Sequence, residues 1–360
     1  MKIRAVDIAR ELNLSKATVS LALNNKPGVS ASTRQAVLSC QERLIAAAEA
    51  GVWNPKMPSS CQADQPEACG RNEVQSSQKQ CIKIIVATKR MNIIGDPALG
   101  IWNDVFRMFK KELERLHYRM SIEYVDLLED EQRGLPEILD HCRAAEVAGV
   151  ILYATEMHEY DFKPFRHLNK PLLVFDNYFG DRYHSVVIDN FSAIRNVVDY
   201  LAERGYRDIR YLAQNRSIYN FEQRREGFKE GLRKNHLKSD QNRIVPVGTS
   251  VEEITENMSA YLDTTTLPEV FILENYQVSL GVIQAFSEKK IRVPKDVSLI
   301  GMDMLPENTS AGIQLRTINI DHAEKAIAAV MLLQKEIEQR LPMKLQILVK
   351  CEMDFGNSIR

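Results

Sequence analysis

The stretch "SKATVSLALNN", residues 15–25, sets hydroxyls and one ammonium ahead of a short apolar run. Hydroxyls, a lysine and an early helix turn are the groups that bond phosphate oxygens and base edges. Ser15 is a good N-cap, and the spacing predicts a helix from about Lys16 to Asn24. Val19, Ala22 and Leu23 then face inward, which leaves Lys16, Ala17, Ser20 and Leu21 on the other side. Before it, "AVDIAREL" puts Val6, Ala9 and Leu12 on one helical face, and "NLS" breaks that helix. After it, "NNKPG" is a turn, and "VSASTRQAVLSCQERLIAAA" reads as a third helix with Val37, Leu38, Leu44 and Ile45 apolar. Two short helices at a tight turn followed by a third describe a helix-turn-helix, whose second helix can enter the major groove. A three-helix cap with no nucleic-acid role shows the same periodicity.

Thiols are the second chemistry. There are six cysteines, Cys40, Cys61, Cys69, Cys81, Cys142 and Cys351, with no C-x-x-C pair. Cys61, Cys69 and Cys81 gather in a polar, proline-bearing stretch. Thiolates so placed could ligate zinc or an iron–sulfur centre, or sense redox state. Their spacing matches no standard site, so free thiols in a tether are the plainer reading, and no cofactor is expected.

These groups need elements to hold them. The chain has 360 residues at net charge −1, long enough for more than one domain. Residues 1–60 carry eight basic side chains against four acidic ones, so positive charge is concentrated at the N-terminus. No apolar run approaches 18 residues and no secretory leader is visible, so a cytoplasmic protein without a membrane span is expected. Residues 54–81 read as a polar linker between a 1–53 headpiece and an 82–360 body. In the body, strand-like runs such as "CIKIIVATKR", "VAGVILYAT" and "KPLLVFDNY" alternate with helical spacing. A second series follows, with helices expected at 191–204, 221–235, 251–263 and 277–288. Two tandem series predict an α/β body of two Rossmann-like lobes, each a parallel sheet covered on both faces. Ligands of such sheets bind beyond the carboxyl ends of the strands, which two lobes would bring to a shared cleft. Walker A, H-E-x-x-H, G-x-S-x-G and G-x-G-x-x-G motifs are missing, which argues against an enzyme.

The segment "VDIARELNLSKATVSLALNNKPGVSASTRQAVL" resembles the headpiece of the LacI/GalR family of bacterial repressors. The resemblance implies that Lys16, Ala17 and Leu21 face bases, with Ser20 on the same side. It implies that Ser15, Thr18, Asn24, Ser30 and Thr33 touch phosphates. Leu21 stands where arginine is common, and leucine offers a thymine methyl only apolar contact. The family's Ala-Arg-x-Leu hinge helix is missing after the late echo Trp53-Asn54-Pro55-Lys56. The body resembles the family's periplasmic-binding-protein-like core through "RREGF", "LENYQVSLG", "VSLIGMD" and "RTINID". That resemblance implies an effector cleft lined by Asp176, Arg224, Asn275 and Asp303, with Tyr276 in place of an Asp and Trp102 as a stacking aromatic. Tyr178, Phe179 and Tyr219 are further aromatic candidates. The function implied is a homodimeric repressor of double-stranded operator DNA, switched by a small molecule such as a carbohydrate. A regulator that senses redox state or metal through its linker cysteines is the alternative.

Overall fold

The near-continuous apolar run "CIKIIVAT", buried at every position, decides the architecture of the first lobe. A computed structural model describes residues 80–89, 101–128, 134–303 and 312–360, with five positions of the N-terminal segment: Val19, Ala22, Leu23, Arg34 and Val37. Of residues 101–103 and 241, the backbone alone is described. The chain divides into two compact units, Met1–Ser76 and Ser77–Arg360.

In the first unit all five described positions are helical. Val19, Ala22 and Val37 are buried and Leu23 is half-buried, as the inward faces predict. Arg34 Nη1 donates to the Ala22 carbonyl at 2.8 Å, tying two segments twelve residues apart.

In the second unit the chain begins with β1 (Cys81–Thr88), α1 (Ile101–Arg115), β2 (Arg119–Asp126), α2 (Leu135–Arg143) and β3 (Val147–Tyr153). A short α3 (Glu159–Phe162), β4 (Leu172–Phe175) and β5 (His184–Ile188) follow. The second series is α4 (Asn190–Glu203), β6 (Ile209–Gln214), α5 (Tyr219–Lys234), β7 (Ile244–Gly248), α6 (Val251–Thr264), β8 (Val270–Leu273), α7 (Tyr276–Glu288), β9 (Ser298–Met302) and β10 (Arg316–Asn319). Helices α4 to α7 start and stop within two residues of their expected positions. The chain then returns through α8 (His322–Gln339), β11 (Gln346–Val349) and β12 (Glu352–Met353).

The strands form two six-stranded sheets, ordered β11-β5-β4-β3-β1-β2 and β12-β10-β9-β8-β6-β7. All neighbours are parallel except β12, which runs antiparallel to β10. Parallel pairing requires a crossover for each connection, which is why helices cover both faces. In the first sheet Ile82, Ile84 and Val86 pack with α1 and α8, while Ile85 and Ala87 pack with α2 and α3. In the second, Ile209, Tyr211 and Ala213 meet α4 and α5, and Leu212 meets α6 and α7. Each lobe thus repeats one doubly wound order, its switch point lying between β1 and β3 or between β6 and β8. Helix α8 and β11 belong to the first lobe although they follow the second in sequence.

Candidate effector cleft

Two aspartates stand one residue beyond strand ends, one in each lobe. Asp176 follows β4 and Asp303 follows β9, with φ of 67° and 66°. Aspartate tolerates this left-handed conformation better than most residues, and it ends the strand abruptly. Asp176 is 4% exposed, and neither carboxylate oxygen is idle. Oδ1 accepts from Lys325 Nζ at 2.7 Å and Oδ2 from Thr155 Oγ1 at 2.7 Å. Lys325, in the first turn of α8, is 1% exposed, and its ammonium lies 4.6 Å from the centre of the Phe175 ring.

Across the cleft, Asp303 Oδ1 lies 3.9 Å from His322 Nε2, beyond hydrogen-bond reach. Asp303 Oδ1 and His322 Nδ1 are both buried without a partner. Arg224, in the second turn of α5, donates from Nε to Asn190 Oδ1 at 2.8 Å and from Nη1 to the Glu274 carbonyl at 2.5 Å. Asn190 in turn donates to Asn220 Oδ1 at 2.9 Å. Behind this row Arg225 grips the fully buried Glu274 carboxylate with two bonds, at 2.7 and 2.9 Å. Burial pushes the Glu274 carboxyl above its ordinary value, against the pull of Arg225.

Asp176, Arg224, Asn275, Tyr276 and Asp303 all line one cavity, which leaves about 80 Å³ open to water-sized molecules. Asn275 lines it with a side chain already in use. Its Oδ1 caps α7 by accepting from Val278 N at 2.9 Å, and its Nδ2 donates to Gln214 Oε1 at 3.2 Å. Trp102 sits in the first turn of α1, and its side chain lies outside the described residues. Phe179 does not face the cleft; it stacks on Phe162 with ring centres 4.3 Å apart, within the first lobe's core. Tyr178 and Tyr219 face each other between the lobes, 6.3 Å apart. Beside them Arg216 of the second lobe bonds Glu156 of the first at 3.2 Å. Sequence reasoning missed Thr155, Asn220, His322 and Lys325. The signal available for the last two was Asp321, an N-cap directly after β10 that starts a helix at the cleft.

Burial also pushes the His322 imidazole below its ordinary pKa, with Lys325 acting in the same direction and Asp303 and Asp176 opposing. The folded chain therefore binds fewer protons here than the unfolded chain does below pH 6.5. Stability contributed by this residue falls as pH drops through that value. Urea melts at pH 7.5 and 5.5 should show a larger loss for wild type than for His322→Gln; equal losses would contradict the assignment.

The nine residues expected at DNA, Ser15, Lys16, Ala17, Thr18, Ser20, Leu21, Asn24, Ser30 and Thr33, lie outside the described residues, as do Cys61 and Cys69. Cys81 opens β1 as a buried residue, and burial raises its thiol pKa. Among the described residues, no group of three or more His, Cys, Asp or Glu could hold a metal ion. Nor is any helix among them long and apolar enough to cross a membrane.

Two family models match the chain: bacterial regulatory proteins of the lacI family over residues 6–44, and a periplasmic binding protein-like domain over residues 198–359. Catabolite control protein A of Priestia megaterium is 23% identical over 93% of this chain and 92% of its own length. The HTH-type transcriptional repressor CytR of Escherichia coli K12 is 25% identical over 98% of this chain and 95% of its own. Among solved structures, a complex of the transcriptional regulator CelR with cellobiose superposes with a TM-score of 0.66 at 16% identity, covering 99% of this chain and 100% of that one. A match at the N-terminus, two doubly wound lobes and relatives aligned along nearly the full length agree: the chain joins a DNA-binding domain of the lacI family of bacterial regulatory proteins to a periplasmic-binding-protein-like domain, the arrangement found in LacI-family repressors.

Proposed function

We propose that the protein represses transcription by binding double-stranded operator DNA as a cytoplasmic homodimer, and that a small carbohydrate-like molecule between its lobes sets that affinity. The effector half rests on one observation. Groups from the carboxyl ends of both sheets converge on one cavity and leave Asp303 Oδ1 and His322 Nδ1 unbonded. A sugar hydroxyl supplies both a donor and an acceptor to such atoms. CelR, which shares the fold, was solved with cellobiose. We assign the protein no catalytic activity, in keeping with a family of regulators.

The DNA half rests on residues 15–33 and on the family match over 6–44. Lys16 carries hydrogen-bond readout and Leu21 offers apolar contact to a thymine methyl. A ligand that prefers one lobe arrangement shifts the population towards it, and DNA affinity follows by linkage. The test is fluorescence anisotropy of the full chain on DNA from its own upstream region, across a salt series. Selective binding with a steep salt slope is expected, and Lys16→Ala should weaken it by ~1–3 kcal/mol, or about 5- to 150-fold. Binding that does not distinguish upstream from random DNA would overturn the repressor reading.

A further inference from the structure

We propose that the cleft selects an uncharged, hydroxyl-bearing effector and rejects its phosphorylated counterpart. The inference rests on the effector reading above and narrows its ligand class. Among the described lining residues, the formal charges of Asp176, Asp303, Arg224 and Lys325 cancel. Of the cations, Lys325 is fully committed and Arg224 in part. Lys325 is bonded to Asp176, and Arg224 spends Nε and Nη1 on Asn190 and Glu274. A phosphate adds about −1.5 to −2 charges. In this cavity it would lose its hydration and meet two carboxylates; Lys325 could turn to it only by breaking a buried ion pair, which leaves Arg224 Nη2 as the cationic donor within reach.

Helix N-termini are the other common source of phosphate binding. Three helices begin at the cleft. Asn275 caps α7, and Asp321 caps α8 by accepting from Glu324 N at 2.8 Å. Only α5, opening at Ile218, lacks a side-chain cap, so its first turn can serve a ligand oxygen. What remains unbonded suits a neutral hydroxyl. Asp303 Oδ1 accepts, and His322, kept neutral by burial, has one donor and one acceptor nitrogen. The wall also carries the apolar Ile188, Ile218, Phe221 and Ile320 beside the uncharged polar Thr155, Asn220, Asn275 and Gln277, and Tyr276 adds an aromatic face. A pyranose ring or a nucleobase presents the flat, weakly polar surface that such a wall accepts.

The test is calorimetric titration of the full chain with matched pairs: glucose and glucose 6-phosphate, ribose and ribose 5-phosphate, adenosine and AMP, cytidine and CMP. At least one uncharged member should bind, its phosphate more weakly by about 30-fold or more. Asp303→Asn keeps the shape and moves the lining charge to +1. It should weaken the uncharged ligand and narrow the gap to its phosphate by about tenfold. A melting curve of Asp303→Asn confirms that the variant is folded. A phosphate that binds as well as its parent, with the first turn of α5 as its seat, would overturn this proposal and leave the effector reading standing. An unchanged gap in Asp303→Asn would overturn it as well. Binding by no member of any pair would remove the effector reading and this inference together.

Discussion

Lys325→Met should destabilise the 77–360 unit by about 3–5 kcal/mol, the cost of leaving one member of a buried ion pair alone. Methionine fills the same volume, so the loss comes from charge and not from packing. Lys325 is 1% exposed, and its ammonium and Thr155 account for both bonded oxygens of Asp176. Without the ammonium, the Asp176 carboxylate stays buried with one hydroxyl as its partner. The double variant Asp176→Asn/Lys325→Met separates this cause from damage to α8. Asparagine keeps an acceptor for Thr155 and tolerates the positive φ of 67°, which leucine would not. Urea denaturation should show the double variant recovering most of the loss. A double variant as unstable as Lys325→Met would mean that the lysine acts through packing.

Gly227→Ala should cost about 3 kcal/mol and abolish effector binding by moving one helix relative to another. A Cβ at Gly227 would stand 2.2 Å from the Phe191 carbonyl oxygen, in the backbone of α4. Backbone cannot swing aside as a side chain can, so α5 must retreat. Arg224 lies one turn before Gly227, and its partner Asn190 immediately precedes Phe191. Retreat therefore stretches the Arg224–Asn190 bond that aims the guanidinium. At Gly231, one turn further along, the obstacle is Val198 Cβ at 2.6 Å, which the α4 backbone also holds in place, so Gly231→Ala should separate the helices too, by a smaller displacement. Urea melts and titration with a binding ligand would check both variants. If Gly227→Ala binds normally, the joint between α4 and α5 does not set the position of Arg224.

The lobes were legible because parallel strands, buried on both faces, leave long apolar runs such as "CIKIIVAT" between amphipathic helices. Asp176 and Asp303 were legible because strand ends can be read from where such runs stop. What each aspartate touches was not. Lys325 comes in "HAEKAIAAV", where a lysine reads as the solvent side of an ordinary helix. Only the return of α8 to the first lobe places it against β4 and buries it, and no local pattern announces that return. The same holds for Asn275: the sequence offers an amide at a strand end but does not say that the amide is spent as a cap. Phe179, one of several aromatic candidates in the sequence, proves to be core: its stacking on Phe162, seventeen residues earlier, depends on how the chain returns through β4, which no local pattern shows.

The return of the chain has a consequence for how the protein is made. Strand β5 borders β11, so the first lobe's sheet stays one strand short until residues 346–349 have been synthesised. Its covering helix α8 is also made after every strand of the second lobe except β12. The second lobe waits too: Ser358 is fully buried, accepting from Leu299 N at 2.8 Å and donating to the Leu299 carbonyl at 2.7 Å. On the ribosome, where contiguous domains fold as they emerge, both lobes of this protein remain incomplete until nearly the whole chain is out. Nascent chains stalled before residue 346 should thus expose the apolar face of the first sheet to chaperones and proteases, whereas the 1–76 unit has no such wait.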